Sequence, residues 1–106
     1  MTTIQYNKLI RDKIPQIIES SGKKAIVERL NDEKYIDNLN SKLGEELQEY
    51  LESNNIEELA DLVEVIYAIL DYKSVTLEQF DKIRIDKVDK RGAFKERLLL
   101  KEVIED

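Results

Sequence analysis

Apolar positions recur at three- and four-residue steps along most of this chain. Ile36, Leu39, Leu43, Leu47 and Tyr50 form one such stripe. It predicts an amphipathic helix that starts at Asn31 or Asp32 and reaches about Glu52. The polar break Ser53-Asn54-Asn55 follows. A second helix is expected from Asn55 to about Tyr72, with Glu58 placed as capping-box partner. Between residues 59 and 70 this helix is apolar on most of its circumference, through Leu59, Leu62, Val63, Val65, Ile66, Tyr67, Ile69 and Leu70. So small a chain cannot bury such a helix all round, so the leftover face predicts a partner, most simply a second copy. Upstream, Asp12 as N-cap, Pro15 in the first turn and Gly22 just past the end bracket a short helix. Downstream, Thr76 with Gln79 reads as a capping box, and Gly92 closes that helix. Residues 25–30 read as extended chain or linker, and the tail after Gly92 fits either helix or coil. The expectation is one all-α domain over residues 1–106, a bundle of four to five helices.

Composition narrows the chemistry. The 106 residues include no Cys and no His. Disulfides, thiolate metal sites and every Ser-His or Cys-His arrangement are therefore excluded. Catalysis, if any, must run on carboxylates, Lys, Arg, Tyr or a bound metal. No apolar run approaches membrane-spanning length, and the first residues lack a signal core, so a cytoplasmic protein without membrane contact is expected. The net charge of -6 is uneven. Residues 1–31 carry six basic and three acidic side chains, residues 32–78 three and thirteen, and residues 79–106 eight and seven. An acidic centre is a poor surface for polymeric nucleic acid, and it suits a metal site with cations nearby.

The acid concentrates in EELQEYLESNNIEELAD, residues 45–61, which holds seven carboxylates and no Lys or Arg. With Leu43 at the middle of the first arm's stripe, Glu46 lies about 60° and Glu49 about 120° to one side. On the second arm Glu58 and Asp61 turn off in the same sense, about 100° and 160° from the apolar middle. A short loop makes the arms antiparallel, so equal sense means the same side of the hairpin. Counted from the loop, Glu49 stands opposite Glu58, and Glu46 opposite Asp61. Two bare charges about 5 Å apart repel by roughly 3 kcal/mol at an effective dielectric near 20. Either these acids face water, or a hard divalent cation sits between them; all-oxygen donors favour Mg²⁺ or Mn²⁺. Glu45, Glu52 and Glu57 sit further round and are expected to face water, although Glu45 is one turn from Glu49 and could support the site.

The pattern Glu45-Glu46-x-x-Glu49 followed by Glu58-x-x-Asp61 resembles the signature of the all-α nucleoside triphosphate pyrophosphohydrolases, the superfamily of MazG. The opening YNKLIRDKIPQII and the later KRGAF resemble its small phosphoribosyl-ATP pyrophosphohydrolase-like branch. The interval between the two acid motifs is shorter than is usual in MazG. The resemblance implies that Glu46, Glu49, Glu58 and Asp61 hold Mg²⁺, which in turn holds a triphosphate. It implies hydrolysis between the α and β phosphates to a nucleoside monophosphate and pyrophosphate, with Glu49 or Glu45 handling the water. The alternatives are phosphoribosyl-ATP hydrolysis in histidine biosynthesis and a non-catalytic helical dimer. A dimer, or a dimer of dimers, is the expected assembly.

A triphosphate also needs cations. Lys8, Arg11 and Lys13 cluster at the start of the first helix, where an anion is favoured, or they are surface side chains reaching into water. Lys87, Lys90 and Arg91 lie late on the last helix, in a region where family members place phosphate-binding Lys and Arg. The alternative is that they complement that helix's C-terminal dipole. Tyr6, Tyr35, Tyr50, Tyr67 and Phe94 are candidates for base stacking or for core packing.

Overall fold

A computed structural model describes residues 2–105. Among them are four helices and no strand: α1 (Ile14–Ser20), α2 (Asp32–Ser53), α3 (Ile56–Tyr72) and α4 (Leu77–Arg91). The all-α expectation holds. The chain divides into two compact units, Met1–Ser74 and Val75–Asp106. No described helix is long and apolar enough to cross a membrane.

The first unit is organised by α2 packing against α3. Asn31 caps α2 by accepting from the Lys34 backbone N–H at 2.9 Å, which settles the start that the pattern left between Asn31 and Asp32. At the other end Asn54 takes the left-handed conformation (φ 56°, ψ 24°), and its N–H closes on the Tyr50 carbonyl. Asn55 then opens α3 by accepting from the Glu57 N–H at 3.0 Å. Two asparagines thus form the whole connection, and the arms run antiparallel. The capping bond is to Glu57, so Glu58 is not spent on a capping box. At the far end of the hairpin Tyr35 and Tyr72 meet edge to face, with ring centroids 6.0 Å apart.

The inward face of α2 differs from the apolar stripe. Leu39 is 2% exposed and Glu46 is 6% exposed, whereas Leu47 is 47% exposed. Leu39 and Glu46 are seven residues apart, two turns along one face. Leu47 stands about 100° round from Glu46 and leaves that face. Leu47 therefore does not join the core, and a carboxylate takes a core position.

α1 is only seven residues long and starts one residue later than an Asp12 cap would place it. Asp12 lies in a turn, and the N-cap is Lys13, whose side chain makes no capping bond. Pro15 sits in the first turn, and Gly22 follows the helix at φ +88°, both as expected. Residues 2–11 ahead of α1, and 23–31 after it, are irregular.

In the second unit, Thr76 and Gln79 form the complete capping box at the start of α4, and Gly92 ends the helix at φ +84°. Phe80 is half-buried, while the rest of α4 and the irregular tail beyond it are exposed.

Candidate functional site

The hairpin brings three acids together. Glu46 of α2 and Glu58 and Asp61 of α3 each offer a carboxylate oxygen, and these oxygens lie within 4.8 Å of one another. The cause is local. Glu46 faces α3 from a core position, and Glu58 and Asp61 stand one turn apart on the opposite arm. Glu49 is outside this trio, but its charge reaches both arms: it helps to raise the pKa of Glu46 and of Glu58. All four acids read from the sequence as metal ligands therefore converge on one region, three of them in close mutual reach.

Glu46 is the unusual member. Its Oε2 is buried and has no hydrogen-bond partner. Burial is the main cause that pushes its carboxyl above the ordinary value, and the Glu49 charge adds to it. Glu58 is raised for the same reasons, burial first, then the charges of Glu49 and Asp61. A buried, unpaired carboxylate oxygen is costly unless something positive meets it. The donor set is all carboxylate oxygen, the set that hard divalent cations take. The residues present fit such an ion.

Cations of the protein's own flank the trio. Lys42, one turn ahead on α2, lies 3.5 Å from Glu46 Oε1 and 3.7 Å from Glu45 Oε1. From the irregular segment before α1, Lys8 Nζ donates to Glu45 Oε1 at 3.1 Å, and Arg11 Nη2 donates to Asp61 Oδ1 at 2.6 Å. The hydrogen bond from Lys8 lowers the pKa of Glu45, and Glu45 in turn raises that of Lys8. Glu45 is therefore half-buried and paired, not solvated. The stretch 45–61 carries no cation of its own, but its charge is partly met from outside it. Periodicity gave no sign of the two long-range pairs. Lys42 was within reach of sequence reasoning, because it precedes Glu46 by four residues.

Beside the trio lies a cleft of about 440 Å³ lined by residues 9–13, Tyr35, Leu39, Lys42, Glu46, Asp61, Glu64, Val65 and Ala68. Of the six cations singled out in the sequence, Arg11 and Lys13 line this cleft and Lys8 holds Glu45. Lys8 and Arg11 precede α1 and point to carboxylates, so the anion-attracting start of the first helix is not what organises them. Lys87, Lys90 and Arg91 are exposed on the last two turns of α4, in the second unit. Tyr35, one of the aromatic candidates, lines the cleft, as does Glu64, to which the sequence pattern assigned no role.

No protein-family model matches the chain. A protein of Mycolicibacterium smegmatis, described as an uncharacterized protein, is 40% identical over 42 residues. That stretch is 40% of this chain and 43% of the relative, so the chain spans under half of that protein's length. No solved structure matches.

Proposed function

We propose that the protein is a Mg²⁺-dependent nucleotide pyrophosphohydrolase of the MazG-like kind. It would cleave a nucleoside triphosphate between the α and β phosphates and release the monophosphate and pyrophosphate. The observation that carries this reading is Glu46: a buried carboxylate with an orphaned oxygen, within 4.8 Å of oxygens from Glu58 and Asp61. A divalent ion bound there would neutralise phosphate charge and lower the pKa of a bound water, chemistry that requires no His.

The chain's own residues have separable tasks in this proposal. Glu46, Glu58 and Asp61 hold Mg²⁺, or Mn²⁺ in its place, and Glu49 completes the set or takes a proton from the attacking water. Glu45, held by Lys8 and Lys42, supports Glu49 from one turn away. Arg11 and Lys13 meet the phosphates from the cleft edge. Tyr35, Leu39, Val65 and Ala68 give the cleft an apolar part for the nucleoside, among seven charged lining residues that suit the phosphates and their ion. The enzyme is proposed to act in the cytoplasm as a homodimer or dimer of dimers. The exposed apolar positions Leu47, Leu51, Val63 and Tyr67 of the hairpin support a second copy.

The test is a pyrophosphate-release screen over canonical, modified and phosphoribosyl nucleotides, with Mg²⁺ and with chelator. Turnover that needs Mg²⁺ and is lost in Glu49→Gln and Asp61→Asn is the expected result. No turnover on any of these nucleotides, with no Mg²⁺ binding by calorimetry, would sink the reading. Phosphoribosyl-ATP as the preferred substrate would move the enzyme to histidine biosynthesis.

A further inference from the structure

Resting on the metal reading above, we propose that Arg11, tethered beside the site by Lys8, acts as an internal cation. Its guanidinium occupies the acid cluster until a divalent ion arrives, and is then released to the cleft.

The geometry is specific. Arg11 Nη2 sits 2.6 Å from Oδ1 of Asp61, one of the three carboxylates in mutual reach. Asp61 cannot give that oxygen fully to a metal ion and to a guanidinium at once, because both draw on the same lone pairs and both are positive. Three residues earlier, Lys8 binds Glu45 at 3.1 Å, outside the trio. The two bonds therefore differ in kind. The Arg11 bond competes with a metal ion, whereas the Lys8 bond anchors the segment beside the site.

The segment is built to let go. It is neither helix nor strand, and of residues 2–11 only Leu9 is half-buried. Asn7 adopts a positive φ of 49°, which bends the chain just before Lys8. Both Arg11 and Asp61 are partly exposed, so their pair is of the weak, screened sort. A divalent ion facing three or four carboxylates outbids a single guanidinium. Arg11 also lines the cleft, and with Lys8 still anchored the freed guanidinium stays at its edge. Its planar donor fork suits a phosphate as well as a carboxylate. By linkage, whatever weakens the Arg11–Asp61 bond must tighten metal binding, and the reverse.

The test is calorimetric titration of Mg²⁺, and separately Mn²⁺, into wild type, Arg11→Ala and Lys24→Ala without nucleotide. Lys24 is exposed and its loss changes the net charge equally, so it controls for general attraction. Arg11→Ala is expected to bind the ion about two- to fivefold tighter than wild type, and Lys24→Ala to match wild type. In wild type, exchange of the Arg11 guanidinium N–H with water, followed by NMR, is expected to quicken when the ion is added, because that group donates to Asp61. Affinity in Arg11→Ala no tighter than in Lys24→Ala, or exchange unchanged or slowed by the ion, overturns the inference and leaves the metal site standing. No binding by any of the three proteins overturns the metal reading itself, and the inference with it.

Discussion

Glu46 shows what a single residue contributes to this fold. It occupies the position two turns from Leu39 where an apolar side chain would close the hairpin. Its raised pKa fixes the sign of its effect on stability. The ionised form is less favourable in the folded chain than in the unfolded one, so stability falls as pH climbs from the ordinary carboxylate range through the raised folded value. In chelator, Glu46→Gln should therefore melt above wild type at about pH 8, and the advantage should shrink to nothing as pH falls into the usual carboxylate range. Added Mg²⁺ should reverse the order at about pH 8 by stabilising wild type, since a ligand that binds only the folded state raises its stability. Thermal melts at several pH values, with and without the ion, measure both effects. Glu45 pulls the other way: its lowered pKa gives stability that is present at neutral pH and lost on acidification. The convergence of Glu46, Glu58 and Asp61 was legible in the sequence, because helical spacing and a short loop fix rotation and height together. The exchange of Leu47 for Glu46 on the inward face was not, since a hydrophobicity pattern never assigns an acid to the core. The pairs Lys8–Glu45 and Arg11–Asp61 span 37 and 50 residues, and no local rule reaches that far.

At the scale of elements, the ends of the three longer helices were the most legible features, because caps are local chemistry. Asn31, Asn55 and Thr76 all accept the capping bonds that their types suggest. The loop between α2 and α3 allows a paired prediction. Asn55→Ala removes the bond to the Glu57 N–H and should cost about 1 kcal/mol, read by urea denaturation. Asn54→Gly should cost almost nothing, because glycine accepts the left-handed conformation at least as readily as asparagine does. Equal losses in the two variants would contradict the division of labour between them. The short first helix was less legible. Asp12 has the chemistry of a cap, but it lies in the turn that brings residues 9–13 along the cleft, and α1 begins without a side-chain cap.

For the whole molecule, the exposed apolar surface is the dominant fact. Only Leu39 and Leu70 are buried apolar residues among those described, while Val63 and Tyr67 of α3 are each 41% exposed. The sequence anticipated a face of α3 left without cover. If a second copy covers it, wild type should sediment as at least a dimer at micromolar concentration. Val63→Lys should shift it to monomer with the helical circular dichroism retained. A monomeric wild type contradicts the homodimer. The tail was ambiguous because Phe94, Leu98, Leu99, Leu100, Val103 and Ile104 fit no single period. They lie exposed along irregular chain.

The contact between Tyr35 and Tyr72 carries an optical consequence. The chain has five tyrosines and no tryptophan, so tyrosine is its only strong intrinsic fluorophore. Tyr35 both touches Tyr72 and lines the cleft beside the acid trio. A purine or pyrimidine seated against that ring would quench a signal that no brighter chromophore masks. Occupancy of the cleft can therefore be followed by emission from the unlabelled protein, with Tyr35→Phe removing the reporter while keeping the ring.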